Sequence, residues 1–331
     1  MEDLRCGMLL LPEDLSPSWS ALCRASEEAG FAFLGVGDSQ SIFRDVYVAL
    51  TLAAQATNTI RLGPQVTNPV SRHLVVTASA ISSVDEVAGG RAVLGIGSGD
   101  SALATVGAPP ATLAGLEAAV VILRELTAGR AVPRGDGVWQ VQRARRQIPI
   151  YLSAEGPQTL RLAGRIADGV VVGLGTSPEA VSLALGYLSE GAAAAGRSLA
   201  ALDIWWLVKA NLGPIEDIRM AIAASANHAF KFTLEGKALP HSHREAIEDL
   251  KRSYRSHHHE VRDGANATLT DRLGLTDYLA DRFAFYGEPA DCLRQIERAA
   301  NAGARQFLLT GFVREPQQFI HRWGAEVIAH L

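Results

Sequence analysis

Residues 60–99 read IRLGPQVTNPVSRHLVVTASAISSVDEVAGGRAVLGIGSG. Two short apolar runs, IRLGPQVT (60–67) and AVLGIGSG (92–99), flank a stretch with helical patterning. Neither run alternates apolar with polar side chains, as a half-solvated strand would. Strands of this kind are covered on both faces, so they belong to a parallel sheet with helices packed against it. The unit is strand–helix–strand, and its rhythm extends both ways. Upstream, CGMLLL (6–11) and FAFLGVG (31–37) read as strands, followed by the helices SWSALCRASEEAG (18–30) and VYVALTLAAQAT (46–57). Downstream, the strands are IPIYLSA (148–154), GVVVGLG (169–175), DIWWLVKANLG (203–213) and RQFLLTGF (305–312). Helical patterns lie among them at 112–129 and 157–169, and 317–331 closes the chain. In the first of these, Leu116, Val120, Leu123 and Leu126 share one face.

Eight strands alternating with helices predict an α/β protein, a (β/α)₈ TIM barrel forming a single domain over 1–331. The alternative is an open doubly wound sheet. That fold would place a Gly-x-Gly-x-x-Gly turn after its first strand, whereas the glycine run GIGSGD (95–100) follows the fourth. Two stretches interrupt the rhythm. RAVPRGDGVWQVQRARRQ (130–147) carries a Gly135-Asp136-Gly137 turn and reads as a hairpin-like insertion. Residues 228–285 are polar and helical, and read as a lid insertion at the C-terminal mouth between strands seven and eight.

The chain has 331 residues, 48% of them hydrophobic, and a net charge of -4. This balance offers no electrostatic footprint for nucleic acid. The opening segment carries Glu2, Asp3 and Glu13 around a short apolar run, unlike a secretory leader, and no apolar stretch is long enough to span a membrane. Cys6, Cys23 and Cys292 are scattered, without zinc or redox spacing. The expectation is a soluble, cytoplasmic protein with reduced, buried thiols.

Barrel enzymes carry their chemistry at strand C-termini and in the loops beyond. Here those ends read Gly37-Asp38-Ser39, Gln65-Val66-Thr67-Asn68-Pro69, Gly97-Ser98-Gly99-Asp100, Ser153-Ala154-Glu155-Gly156-Pro157 and Val172-Gly173. Glycine permits close backbone approach to a ligand. The fifth end runs straight into a helix, whose free N–H groups and positive end suit a phosphate, although an ordinary capped helix start has the same appearance.

The blocks 67–103, 148–172 and 287–309 resemble the bacterial luciferase-like flavin-dependent monooxygenase superfamily, most closely its methylenetetrahydromethanopterin reductase-like branch. The likeness covers nearly the whole chain except 228–285. It implies a luciferase-like barrel with the cofactor ring across the C-terminal mouth. A bulge at Gln65, Val66 and Thr67, with a non-prolyl cis peptide and Asn68 beside it, would back that ring. Gly97, Ser98, Gly99 and Asp100 would line its other edge. Ser153, Ala154, Glu155 and Gly156, with Val172 and Gly173, would form the phosphate end. One departure stands out: the reductase branch has Asp-His after strand two, whereas this chain has Asp38-Ser39.

The resemblance implies an oxidoreductase acting on a small organic substrate. The leading expectation is a two-component monooxygenase, with reduced FMN as cosubstrate delivered by a separate flavin reductase and molecular oxygen reacting through a flavin C4a-peroxide. A coenzyme F-420-dependent hydride-transfer enzyme is the alternative, and a non-catalytic flavin-binding protein a third reading. A homodimer is expected. Asp38 and Asn68 are the catalytic candidates, with a structural, hydrogen-bonded Asp38 as the competing reading. Ser39, Arg44, His241 and His243 are candidates for substrate binding. The run His257-His258-His259 does not predict a metal site, because consecutive helical positions point in different directions. No nucleophile elbow is present, so the hard chemistry would belong to the cofactor.

Overall fold

The computed structural model describes residues 4–255, 258, 264–311 and 313–331. Its strands are β1 (Arg5–Leu10), β2 (Phe33–Val36), β3 (Arg61–Pro64), β4 (Leu94–Ile96), β5 (Val132–Arg134), β6 (Gly137–Trp139), β7 (Ile150–Ala154), β8 (Gly169–Val172), β9 (Asp203–Asn211), β10 (Ala284–Tyr286) and β11 (Gln306–Gly311). The helices are α1 (Pro17–Glu28), α2 (Val46–Ala56), α3 (Leu74–Val87), α4 (Ser101–Ala104), α5 (Leu113–Thr127), α6 (Pro157–Ile166), α7 (Pro178–Ala194), α8 (Arg219–Phe230), α9 (Arg244–Ser253), α10 (Leu269–Arg272), α11 (Thr276–Phe283), α12 (Pro289–Asn301) and α13 (Pro316–Glu326).

The large sheet is parallel, in the order β3-β2-β1-β11-β9-β8-β7-β4. Its two ends meet through the bridges Leu62↔Ala92 and Thr67↔Ile96, so the eight strands close into the expected (β/α)₈ barrel. The closure needs glycine on both sides. A Cβ on Gly63 would stand 2.0 Å from the Val93 carbonyl oxygen, and one on Gly95 would stand 2.1 Å from that of Pro64.

Inside the ring, Phe33, Val93, Tyr151, Val171, Trp205 and Leu308 form one buried layer, with Phe33 and Trp205 centroids 5.3 Å apart. Below it, Arg61 bonds Tyr151 Oη at 2.8 Å and Asp203 at 2.9 Å, and Gln306 also donates to Asp203. This polar plug fills the N-terminal end of the barrel, leaving the C-terminal end as the open mouth. The outward-facing strand residues pack against the helices in a second, larger core.

Helix starts follow local chemistry. Asp45 accepts from the Tyr47 and Val48 amides at 2.9 and 3.1 Å, and Thr112 from Gly115 at 3.1 Å. Proline opens α1, α6, α7, α12 and α13, where its missing N–H costs nothing. β5 and β6 pair antiparallel around Gly135, and Trp139 receives the edge of His73 at 4.5 Å. That histidine also caps α3 through Nδ1.

One edge of the long β9 pairs with β11, and its other edge serves two partners. Its first half pairs with β8, and Lys209 to Asn211 pair with β10. The helices between them begin at Arg219 and have a core of their own, centred on Ile222, Phe230, Leu250, Leu279 and Phe283. Arg282, 1% exposed, fastens this body to the barrel. It donates to the carbonyls of Leu174, Ala238 and Lys237 at 2.9, 2.9 and 2.6 Å and to Tyr278 Oη at 2.8 Å. No helix among the described residues is long and apolar enough to cross a membrane.

α6 and α7 touch backbone to backbone: a Cβ on Gly164 would lie 2.1 Å from the Leu188 carbonyl oxygen, and one on Gly191 would lie 2.0 Å from that of Arg161. Gly191→Val therefore forces the pair apart and is expected to destabilise the protein by roughly 2–3 kcal/mol. Urea denaturation measures it. A loss under about 0.5 kcal/mol, the range of an ordinary surface change, would contradict the close packing.

Candidate active site

The barrel mouth holds a cleft walled by the ends of β1, β2, β3, β4, β7 and β9 and roofed by the C-terminus of α8. Its β3 wall is the Gln65–Val66 bulge, and that peptide bond is cis. Gln65 is 91% buried, and neither atom of its side-chain amide has a partner among the described residues. Its side chain lies between Gly35 and Gly95, where a Cβ on either would come within 2.7 Å of it. Thr67 continues the bulge by exchanging backbone hydrogen bonds with Gly95 and Gly97. Asn68 Oδ1 accepts from the Val70 and Ser71 amides at 3.0 and 2.8 Å, so this candidate shapes the loop beside the cleft.

Three carboxyl groups line the mouth. The Asp38 side chain is 2% exposed and is gripped by both Arg72 terminal nitrogens, at 2.5 and 3.1 Å. Arg72 in turn lies over the Tyr47 ring. Removing one partner of such a buried pair strands the other charge, so the arrangement is a fixed strut. Asp100 accepts from His228 Nε2 at 2.8 Å and from Lys231 Nζ. Burial raises its pKa, but those two partners outweigh burial and hold it well below the usual carboxylate range. Glu155 differs. Burial pushes its pKa up, opposed by the nearby His228 and Lys237 charges and by the Ser153 hydroxyl at 3.2 Å.

Ser39, which stands where the reductase branch has histidine, bonds Ser101 Oγ at 2.6 Å, and Gln40 donates to the Ala102 carbonyl at 2.5 Å. These contacts tie the β2 loop to the β4 loop across the end of β3.

The structure brings Asp38, Ser39, Gln65, Val66, Asn68, Gly97, Ser98, Gly99, Asp100, Ser153 and Glu155 to one cleft. Ala154 and Val172 face the outer core, and Gly173 backs Glu155, because a Cβ there would lie 2.7 Å from Glu155 Cγ. Gly156 caps α6 without any side-chain bond to its first-turn amides. Arg44 is exposed and stands outside the cleft. His241 is exposed and His243 stacks on Tyr278 at 4.3 Å, so neither reaches the mouth. His257 and His259 lie outside the described residues, and among those described no group of side chains could hold a metal ion.

The sequence reading missed Arg72, Lys209, His228, Lys231 and Lys237. All but Lys237 and Arg72 line the cleft itself. Lys237 is 3% exposed, donates to the Ala229 carbonyl, and sits with Nζ 4.0 Å from where a Gly156 Cβ would be. The Ser71-Arg72-His73 triplet after the bulge was the available signal for Arg72. Nothing local marked the lysines.

The family model for luciferase-like monooxygenases matches residues 18–306. The chain belongs to the luciferase-like monooxygenase family. It is 31% identical to a 5,10-methylenetetrahydromethanopterin reductase of Methanopyrus kandleri, over 100% of this chain and 99% of that one. It is 28% identical to an F420-dependent glucose-6-phosphate dehydrogenase of Beutenbergia cavernae, over 99% and 97%. Among solved structures, the coenzyme F420-dependent tetrahydromethanopterin reductase of Methanopyrus kandleri superposes with a TM-score of 0.79 at 26% identity, covering 99% of both chains. This luciferase-like protein is thus an oxidoreductase, and the resemblance to the reductase branch holds. The expectation of a reduced-FMN monooxygenase does not. These three relatives, at 26–31% identity, are reductases and a dehydrogenase, two of them named for F420. The shared barrel blocks that suggested FMN are common to both chemistries and could not separate them.

Burial pulls the Lys237 ammonium down to about 8, while Glu155 opposes that shift and Arg282 adds to it. An unfolded lysine titrates near ~10.4. Between these values the unfolded chain binds more protons, so this residue makes stability rise with pH from about 8 to ~10.4. Lys237→Met should remove that increment. Urea midpoints of both proteins across pH 7–11 would show it as a difference, and parallel pH curves would contradict it.

Proposed function

We propose that this chain is a coenzyme F420-dependent hydride-transfer oxidoreductase acting on a small molecule. The observation that carries this reading is the end-to-end likeness to F420-dependent enzymes, combined with an open cleft at the barrel mouth. The residues fit such a group. The unpartnered Gln65 amide lies at the base of the cleft, a Cβ on Gly97 would crowd Val66 at 3.1 Å, and α6 presents uncapped first-turn amides. When bound, the deazaflavin supplies or accepts a hydride as a two-electron carrier.

The protein's own residues then do the rest. Val66 and Gly97 form a narrow wall against which a ring is oriented. Gly156 and the start of α6 receive a phosphate, favoured by the helix end and by the adjacent Lys237. The Asp38–Arg72 strut fixes the β2 and β3 loops relative to one another. Asp100, His228 and Lys231 join the β4 loop to α8.

Fluorescence titration with F420 and FMN tests the reading. The wild-type protein is expected to bind F420 and to exchange a hydride with it. Retention of FMN with no F420 binding would overturn the assignment. Gly156→Glu, which puts a bulky carboxylate at the phosphate position, should weaken F420 binding at least about tenfold, or ~1.4 kcal/mol. Unchanged affinity in a folded variant would move the phosphate elsewhere.

We further propose a homodimer formed through the outer faces of α2 and α3. Each helix carries large apolar side chains on its solvent side: Val48 on α2 and Val76 and Val87 on α3 are 51%, 54% and 46% exposed. Sedimentation should give a dimer for the wild type and a monomer for the Val48→Asp/Val76→Asp variant. A monomeric wild type would refute the pairing.

A further inference from the structure

Each hydride delivered to the carbon of a C=O or C=N bond leaves an electron pair on the heteroatom, and that atom needs a proton. The imidazole that the reductase branch carries after strand two is replaced here by Ser39, whose hydroxyl is engaged with Ser101.

The three cleft carboxyls are the remaining candidates, and the structure separates them. Asp38 accepts two hydrogen bonds from Arg72. Asp100 is held by His228 and Lys231. A carboxylate gripped by cations is a poor proton donor, because donation would require it first to be protonated against those charges. Glu155 has no ion pair among the described residues, and its Oε1 accepts only from a neutral hydroxyl, Ser153 Oγ. Its position suits the task. Ser153 Cβ and Val66 Cγ2 lie 3.5 and 3.1 Å from the same point, the place of a Gly97 Cβ. Glu155, bonded to Ser153, lines the same cleft as Val66 and Gly97.

We propose that Glu155 is the acid–base residue of this site, donating a proton to the substrate heteroatom as the adjacent carbon is reduced and recovering it as that carbon is oxidised. The inference rests on the hydride-transfer function proposed above. In the reducing direction the substrate carbon gains a hydride from the reduced deazaflavin, which is oxidised by two electrons. The π pair moves to the heteroatom, that atom takes the Glu155 proton, and the carboxylate is reprotonated from water. The groups facing Glu155 are Ser153 from β7, Asp100 from the β4 turn, His228 from α8 and Lys237 from the loop beyond it, with Gly173 of the β8 end at its back. Burial and Asp100 favour the protonated acid, and the two cations limit that effect. A perturbed carboxyl in a cleft, beside carboxylates with fixed partners, is the pattern of an acid–base site.

The test needs no knowledge of the natural substrate. Infrared difference spectra between pH 5 and pH 8 should contain a protonated-carboxyl band that disappears in Glu155→Gln and titrates above solvent-exposed glutamates. Separately, reduced F420 is offered with a panel of small aldehydes, ketones and cyclic imines, and the compound that the wild type reduces fastest becomes the probe. Wild-type kcat/KM should fall as pH rises through the Glu155 titration. At saturating F420, Glu155→Gln should lose at least about 100-fold in kcat and lack that pH limb. Glu155→Asp should retain the limb, and it replaces the glutamine variant if that one does not fold. Glu155 titrating like a solvent carboxyl, or turnover and pH profile unchanged in the glutamine variant, overturns the proposal while leaving the F420 function standing. Failure of the wild type to bind F420, or to reduce any member of the panel, overturns the function itself and this inference with it.

Discussion

Closure of the barrel between β3 and β4 is the constraint on which the mouth depends. A parallel sheet whose strands are apolar on both faces cannot end at a solvated edge without exposing backbone groups that need partners. Here the two edges meet where Gly63 and Gly95 remove any Cβ, since carbonyl oxygens occupy the space a side chain would need. Immediately above this seam the chain bulges at Gln65–Val66 and then pairs again with β4 through Thr67. The wall of the cleft is thus a direct continuation of the joint that shuts the barrel. Side chains lost at the glycines are replaced in part by Gln65, which reaches across the interior between Gly35 and Gly95.

Electrostatics then divides the mouth into fixed and responsive parts. Asp38 with Arg72, and Asp100 with His228 and Lys231, are ion pairs joining separate loops. The buried Asp38–Arg72 pair adds little net stability over apolar packing, but breaking it is costly, so it holds its loops to one position. The Asp100 contacts, whose side chains are each more than a third exposed, link the β4 turn to α8. Glu155 and Lys237, by contrast, are shifted mainly by burial, and in the direction that favours their neutral forms. A site with rigid charged struts and one adjustable carboxyl can orient a ligand and still exchange a proton.

The helical body between β9 and β11 connects these features. It brings His228, Lys231 and Phe232 over the cleft and places Lys237 against the start of α6. Arg282 holds that body in place through carbonyls from the β8 end and from the loop carrying Lys237. Its guanidinium also lies over Phe230 and Phe283 in the body's own core. One buried cation therefore fixes the body both to the barrel and to itself.

Much of this was legible in the sequence, and the reason is local. The eight barrel strands show as apolar runs because each is covered on both faces, and glycines mark the mouth because a close backbone approach excludes side chains. The motifs at 65–68, 97–100 and 153–156 could be assigned to strand ends, and the structure gathers most of them in one cleft. What failed did so for a non-local reason. Arg44, His241 and His243 belong to segments near the mouth in chain order, but packing turns them outward or onto Tyr278. His228 and Lys231 carry no signal of their own, since their meaning comes from Asp100, more than a hundred residues away. The short β10 was hidden in a helical stretch because its partner, the far end of β9, is distant in sequence. The choice between FMN and F420 was likewise not written in the shared barrel blocks. Sequence periodicity determined the barrel and the position of its mouth, because burial imposes a repeat on every strand and helix. Tertiary structure alone decided which charges are paired and which remain free to titrate, because that depends on distances between residues no local pattern relates.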